Sequence, residues 1–399
     1  MTALELRSSF TLAGVFGLRM LGLFIILPVF ALYAETLPGG RDHTLVGIAL
    51  GAYGLTQAVL QIPFGWLSDR WGRKPTIYLG LLLFALGSVV AASATSIGWV
   101  IAGRVLQGAG AISAAVIALA SDLTRDEVRT KAMAIIGITI GVTFALSMVL
   151  GPVLGRWIGV PGIFALTGVL ALGAIAVVRF RVPDPVAVVG IVPDRPRFAD
   201  VLRDPQLARL NVGIFVLHAV LMALFVVVPF ALRGAGLEGN EHWKVYLPVM
   251  LGAFVLMAPV MAMSERRGKQ KPAFVGAVVL LAIAEVILAM MGASVLAIAG
   301  ALLVFFTAFN LLEASLPSLI SRIAPAEAKG TAVGVYSSIQ FLGTFVGAAT
   351  GGWLSQHHGA PAVFVFCGAL TLVWLGVALG MNVPVLRTFQ VPPMDAGRA

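Results

Sequence analysis

Glu313 is a carboxylate inside an otherwise uncharged run, Phe309-Asn310-Leu311-Leu312-Glu313-Ala314-Ser315-Leu316-Pro317. A carboxyl group among apolar residues can bind and release a proton, and Asn310, three residues earlier, shares its helix face. Arg104 and Gln107 stand three apart in Gly103-Arg104-Val105-Leu106-Gln107-Gly108, again on one face. Arg19 interrupts the first apolar segment and Glu285 a later one. An ionisable side chain at membrane depth costs roughly 2.5–3.5 kcal/mol on insertion scales, so each is read as functional until a structural partner is found. For Arg19 the alternatives are pairing with Glu313, binding an anionic group, or snorkelling to the near membrane face. Uncharged polar residues supplement them: Gln57 and Gln61 four apart, Asn211 and His218 seven apart, and Gln340. These either bind cargo or knit helices. His218 titrates in a range suited to proton coupling.

The elements that position these groups are membrane spans. The chain has 399 residues, 59% hydrophobic and 11% charged, against roughly 25% charged in a soluble domain. Spans of about 20 apolar residues fit twelve helices: 9–35, 44–68, 75–95, 98–121, 131–155, 160–180, 208–232, 245–264, 272–292, 295–321, 330–355 and 361–383. The net charge of +9 is topological and does not point to nucleic acid. Arg41, Arg156, Arg233 and Lys244 fall on one side and Arg19 and Arg104 in the membrane. The other 21 of the 27 basic residues lie on the side of the termini. That asymmetry predicts both termini in the cytoplasm. Glu285 falls in the ninth helix, where packing is the expected role.

Two halves are expected, 1–181 and 208–399, joined by a Pro- and Arg-containing cytoplasmic linker over 182–207. Ser68-Asp69-Arg70-Trp71-Gly72-Arg73 matches Ser264-Glu265-Arg266-Arg267-Gly268-Lys269 at an offset of 196 residues, and the same offset carries Gly155 to Gly351 and Trp157 to Trp353. An internal repeat of this kind places a binding site at the midplane between the halves. The histidines lack metal spacing and the single Cys367 does not join them. Neither a metal, a cofactor nor an enzymatic cluster is expected.

The block Gly65-Trp66-Leu67-Ser68-Asp69-Arg70-Trp71-Gly72-Arg73-Lys74 resembles the signature loop of the major facilitator superfamily of secondary transporters. The resemblance implies an all-α integral membrane fold of twelve helices in two pseudo-symmetric six-helix halves, working by alternating access as a monomer in the cell membrane. It also implies a conformational latch of Gly65, Asp69, Arg70, Gly72, Arg73, Lys74 and Asp122. In that latch Arg73 pairs with Asp122, and Asp69 faces the helix N-terminus near Gly330-Thr331-Ala332. The Arg104–Gln107–Gly108 pattern is similar to the family's second motif, linked to proton coupling, with bonding of Arg104 to carbonyls of the first helix as the plainer role. Gly151-Pro152-Val153-Leu154-Gly155 resembles the centre of the antiporter motif, with Ser147 and Arg156 replacing its outer glycines. Arg19 to Pro28, Gly54 to Gly65 and Asn310 to Leu319 look like the YajR-type subgroup of drug:proton antiporters. The function implied is export of lipophilic or cationic small molecules driven by the proton gradient. Glu313 and Arg104 would serve coupling. Arg19, Gln57, Gln61, Gln107, Asn211, His218, Asn310 and Gln340 would line the cavity. Import of a small metabolite, or transport of a lipid-type cargo, is the alternative.

Overall fold

The computed structural model describes residues 1–184, 201, 203–290, 294–325 and 328–382. The central part of the expected linker lies outside them. Among the described residues, eleven helical stretches are long and apolar enough to cross a membrane. One of them, α7 (Asp126–Arg181), has 56 residues and turns at Gly159, where φ is 68° and ψ 171°. At 1.5 Å per residue it would measure about 84 Å, more than twice a hydrocarbon core of about 30 Å. It is therefore two spans, which makes twelve among the described residues, as the apolar runs predict.

Two expected helices are broken. The first span is α1 (Ala3–Phe24) and α2 (Leu27–Ala34). Pro28 has no N–H for the α1 ladder, so the helix turns just before it. The fourth span is α5 (Ile97–Ala109) and α6 (Ser113–Asp122). Gly110 between them lies so close to α4 (Arg73–Ala92) that a Cβ there would sit 2.2 Å from the Gly80 carbonyl oxygen. The remaining helices are α3 (His43–Trp71), α8 (Pro205–Gly234), α9 (Trp243–Arg266), α10 (Gln270–Met290), α11 (Val295–Ile323), α12 (Lys329–His358) and α13 (Ala360–Leu379). The N-terminus is fixed by a capping box. Thr2 Oγ1 accepts from the Glu5 N–H at 3.2 Å, and Glu5 Oε2 accepts from the Thr2 N–H at 2.6 Å. Glu5 also binds Arg125 at 2.8 Å, which ties α1 to the start of α7.

The two six-span halves meet chiefly along α12, which packs against α3 of the first half and α8 of its own. Glycines make this approach possible, as small residues do at helix interfaces in lipid. A Cβ on Gly47 would lie 2.1 Å from the Ala348 oxygen, and one on Gly347 2.0 Å from the Ala219 oxygen. These contacts lie toward the face opposite the N-terminus. Nearer the N-terminal face, Gly330 and Gly334 of α12 have nothing within 4 Å of a Cβ position. The halves are thus pressed together on the opposite face, and the packing of α12 loosens toward the N-terminal face.

Gly347→Val is expected to lower the thermal unfolding midpoint in detergent, because overpacking typically costs about 1–3 kcal/mol. Gly334→Ala, with open space at its Cβ, should leave the midpoint unchanged or slightly higher. Equal midpoints for the two variants would contradict this account of α12.

Candidate functional site at the centre of the two halves

Polar residues gather on each side of the interface. In the first half, Arg19 of α1 is only 2% exposed. It donates from Nη1 to Ser113 Oγ on α6 at 2.9 Å and from Nη2 to Gln57 Oε1 on α3. Gln57 donates in turn to Gln61 Oε1 at 2.9 Å. The sequence expected Arg19, Gln57 and Gln61 each to line the cavity, and here they form one hydrogen-bonded chain. The structure does not pair Arg19 with Glu313, since both terminal guanidinium nitrogens are taken by neutral groups of the same half. Nor does Arg19 snorkel to a membrane face, because it is buried.

Arg104 is fully buried and spans three helices. Its Nη1 reaches the Gly22 carbonyl at 3.4 Å and Gln107 Oε1 at 3.0 Å, and its Nη2 reaches the Leu50 carbonyl at 3.5 Å. Bonding to a carbonyl freed by the bent first span is a structural duty. Gln107, expected to line the cavity, instead donates to Ser88 Oγ of α4 at 2.8 Å. It packs inside the first half because α4 carries Gly87 there: a Cβ on Gly87 would meet the Gln107 side chain at 2.9 Å.

The second half supplies the acid. Glu313 of α11 is 3.9 Å from His218 Nε2 of α8, and Gln340 Nε2 of α12 lies 2.8 Å from that same ring nitrogen. Glu313 Oε2, Asn310 Nδ2, Asn211 Oδ1 and the Tyr336 hydroxyl are buried without hydrogen-bond partners. Buried polar atoms are rarely left unpaired, and two of these, on Glu313 and on Asn310 three residues before it, share one face of α11. Toward the opposite face the site is plugged by aromatics. Phe144 of α7 lies 6.0 Å from Phe306 and 5.5 Å from Phe309 of α11, centroid to centroid, and 5.1 Å from Phe24. Sequence reasoning missed Ser113, Tyr53, Tyr336 and Phe144. The two tyrosines carry no charge, and a Ser or Phe in an apolar run is ordinary.

The loop between α3 and α4 turns at Gly72, where φ is 100°, a conformation that favours glycine. Arg73 there bonds Asp122 at 2.9 Å, as expected, and Asp69 at 2.5 Å. Lys74 turns away to Val182 O and Asp184, both at 2.7 Å. Its ammonium group holds the Asp184 carboxyl below its ordinary range. Arg70 lies 4.4 Å over the Trp66 ring. Gly65 has the Ala114 methyl 3.6 Å from its Cβ position. Gly151, next to Pro152, packs on the break in the first span, with its Cβ position 2.4 Å from the Ile25 oxygen. Gly155 sits one turn further, against Val29. Glu285 is 1% exposed between α10 and α13, away from these clusters.

Bonds across the halves seal the opposite face. Arg233 of α8 grips Glu35 with two bonds of 2.6 and 3.0 Å. His43 Nδ1 lies 2.8 Å from Ser355 Oγ, and its ring stacks on Phe230 at 4.8 Å.

Two bundles of six spans that close over buried ionisable groups at their interface define a secondary membrane transporter. A model of the Major Facilitator Superfamily matches residues 12–347 and 242–392. The inner membrane transport protein YajR of Escherichia coli K12 is 48% identical over 389 residues, covering 96% of this chain and 85% of that protein. The chain belongs to the major facilitator superfamily. The multidrug resistance protein MdtH of Photorhabdus laumondii is 25% identical over 350 residues, 84% of each chain. The solved structure of a bacterial homologue of the human lysosomal transporter Spinster, inward-facing and occupied, superposes with a TM-score of 0.74. It is 14% identical and covers 95% of this chain and 97% of that one, a likeness of fold.

The bond from Arg233 holds the Glu35 carboxyl below its ordinary range. The stabilisation from this pair is present above the unfolded carboxyl range, about pH 4.3, and is lost as pH falls through the lower folded value. Spin labels at Thr36 and Glu238 should keep one distance from pH 7 to 5 and spread below about pH 4. Glu35→Gln should show the spread distribution already at pH 7. A pH-independent distance in the unsubstituted chain would remove the Glu35–Arg233 bond from the closure.

Proposed function

We propose that the chain is a proton-coupled exporter of lipophilic or cationic small molecules, working as a monomer by alternating access in the inner membrane with both termini in the cytoplasm. The observation that carries this reading is Glu313, a carboxyl group with one unbonded oxygen, 3.9 Å from His218 and shielded on one side by the phenylalanine plug. Proton and cargo would compete for it. In the protonated state Glu313 is neutral and makes no charge demand on its surroundings. Loss of the proton leaves a carboxylate that attracts a cationic or dipolar cargo. The apolar walls, with Phe144, Phe306 and Phe309, suit a lipophilic body. His218, bonded to Gln340, places a second titratable group beside the acid, while Asn310, three residues before Glu313 on the same helix face, has an unpaired amide nitrogen.

The cycle follows from which face is closed. With the opposite face sealed by Glu35–Arg233, by His43 and by the glycine contacts of α3 and α12, cargo would enter from the cytoplasmic side. Opening outward requires these contacts to break. The Asp69–Arg73–Asp122 group would then take up the latch on the cytoplasmic side, with Asp69 facing the α12 N-terminus, where exposed N–H groups favour an anion. Arg104 would act indirectly, holding α1, α3 and α5 in register. Gly151 and Gly155 would let α7 rest on the bend of the first span. Support for export comes from this Gly-Pro block and from the kinship to YajR and, more distantly, to a protein named for multidrug resistance. Import of a small metabolite with a proton would use the same groups in reverse, and a lipid-type cargo would suit the apolar walls.

Purified protein in liposomes under an imposed pH gradient, challenged with lipophilic cations and neutral drugs, should show cargo-dependent proton flux. Glu313→Gln should reduce it at least tenfold while leaving the folded fraction intact. Undiminished flux in that variant would move the proton site elsewhere. Flux only with small metabolites that runs inward with protons would replace export by import.

A further inference from the structure

Three buried hydrogen-bond donors without partners belong to side chains that meet at one aromatic ring. They are Arg19 Nε, Arg104 Nε and the Tyr53 hydroxyl. Arg19 is 2% exposed, and Arg104 and Tyr53 are fully buried. The two guanidinium carbons lie 5.6 and 4.9 Å from the Tyr53 ring centroid. Their remaining bonds run to neutral acceptors only: Ser113, Gln57, Gln107 and the carbonyls of Gly22 and Leu50. Among the described residues neither arginine takes part in an ion pair. At the N-terminal membrane face Arg73 bonds Ser68, Asp69 and Asp122, and Lys74 bonds the start of the linker.

Two buried positive charges with no counter-charge are expensive, and the ring face offsets only part of that cost. Arginine has five donors and no acceptor, so only an acceptor can satisfy its free Nε–H. A neutral acceptor would satisfy the geometry and leave both charges uncompensated. An anion satisfies both. The surroundings select its type. Phe84 lies edge-on to Tyr53 at 6.5 Å, and Phe341 of the other half packs on the same ring at 6.4 Å. Such walls favour a small, weakly hydrated monovalent ion over phosphate or sulfate.

We propose that Arg19, Arg104 and Tyr53, between α1, α3 and α5, form a binding site for a monovalent anion of the halide class. The site stands apart from Glu313 and is independent of the direction of transport. Phe341 follows Gln340 on α12, so an ion seated here would stiffen the first half next to the helix that bonds His218.

The test uses the full chain in detergent, with chloride exchanged for gluconate at constant ionic strength. Chloride and bromide should raise the unfolding midpoint saturably, as a ligand of the folded state must. They should also broaden the 35Cl resonance beyond that of empty micelles. Tyr53→Phe keeps the ring and both cation contacts and removes one donor, so the chloride concentration for half-saturation should rise about fivefold or more. Arg104→Lys keeps the charge, lacks the Nε–H, and should weaken binding further. No halide-dependent change in midpoint or linewidth would overturn the proposal, and so would unchanged half-saturation in Tyr53→Phe. Saturation by formate with none by chloride would also overturn it, and would assign the donors to a carboxylate on the cargo.

Discussion

The close approach of α12 to two other helices is the constraint on which the rest of this structure depends. Lipid offers no hydrophobic force to press helices together, so contact must come from backbone lying against backbone. Gly47, Gly343 and Gly347 permit that contact, with Cβ positions 2.0–2.3 Å from carbonyl oxygens of neighbouring helices. A helix held so tightly is fixed in depth and rotation against both neighbours in this state. Tyr336 and Gln340, on the same helix nearer the N-terminal face, are thereby placed beside the α8 histidine and the α11 carboxyl group. The geometry of the polar site is a by-product of glycine packing one to three turns away.

The polar groups are sorted by sign between the halves. The first half contributes Arg19 and Arg104, held by amides, hydroxyls and carbonyls. The second contributes Glu313 and a histidine. Neither arginine meets the acid. The separation leaves each side with unsatisfied atoms, which a single fused ion pair would have consumed. A transporter whose halves must part gains from this, because a buried ion pair across the interface would be costly to break.

Pseudo-symmetry is written most clearly in the turns. All six residues with left-handed φ among those described are glycines, and they form three pairs: Gly39 with Gly236, Gly72 with Gly268, and Gly159 with Gly359. Each pair occupies equivalent turns between spans in the two halves, at offsets of 196 to 200 residues. The offset of 196 found from the charged loops therefore marks a repeated backbone path as well as a repeated composition.

Composition and spacing by themselves determined that the chain is a bundle of twelve apolar spans, that it repeats at half its length, and which ionisable residues lie in the membrane. They could do so because lipid leaves a backbone few options beyond a helix of sufficient length. The motif resemblance supplied the Arg73–Asp122 pair and the expectation of a transporter. Tertiary structure decided the partners. Arg19 faces Gln57 and Ser113 and not Glu313, Gln107 turns to Ser88, and Tyr53 lies under both arginines, because side-chain neighbours on different helices depend on rotation and depth that periodicity does not encode. It also decided the breaks at Ile25–Ile26 and at Gly110. A proline or glycine only permits such a break, and close packing of the neighbouring helix makes it occur.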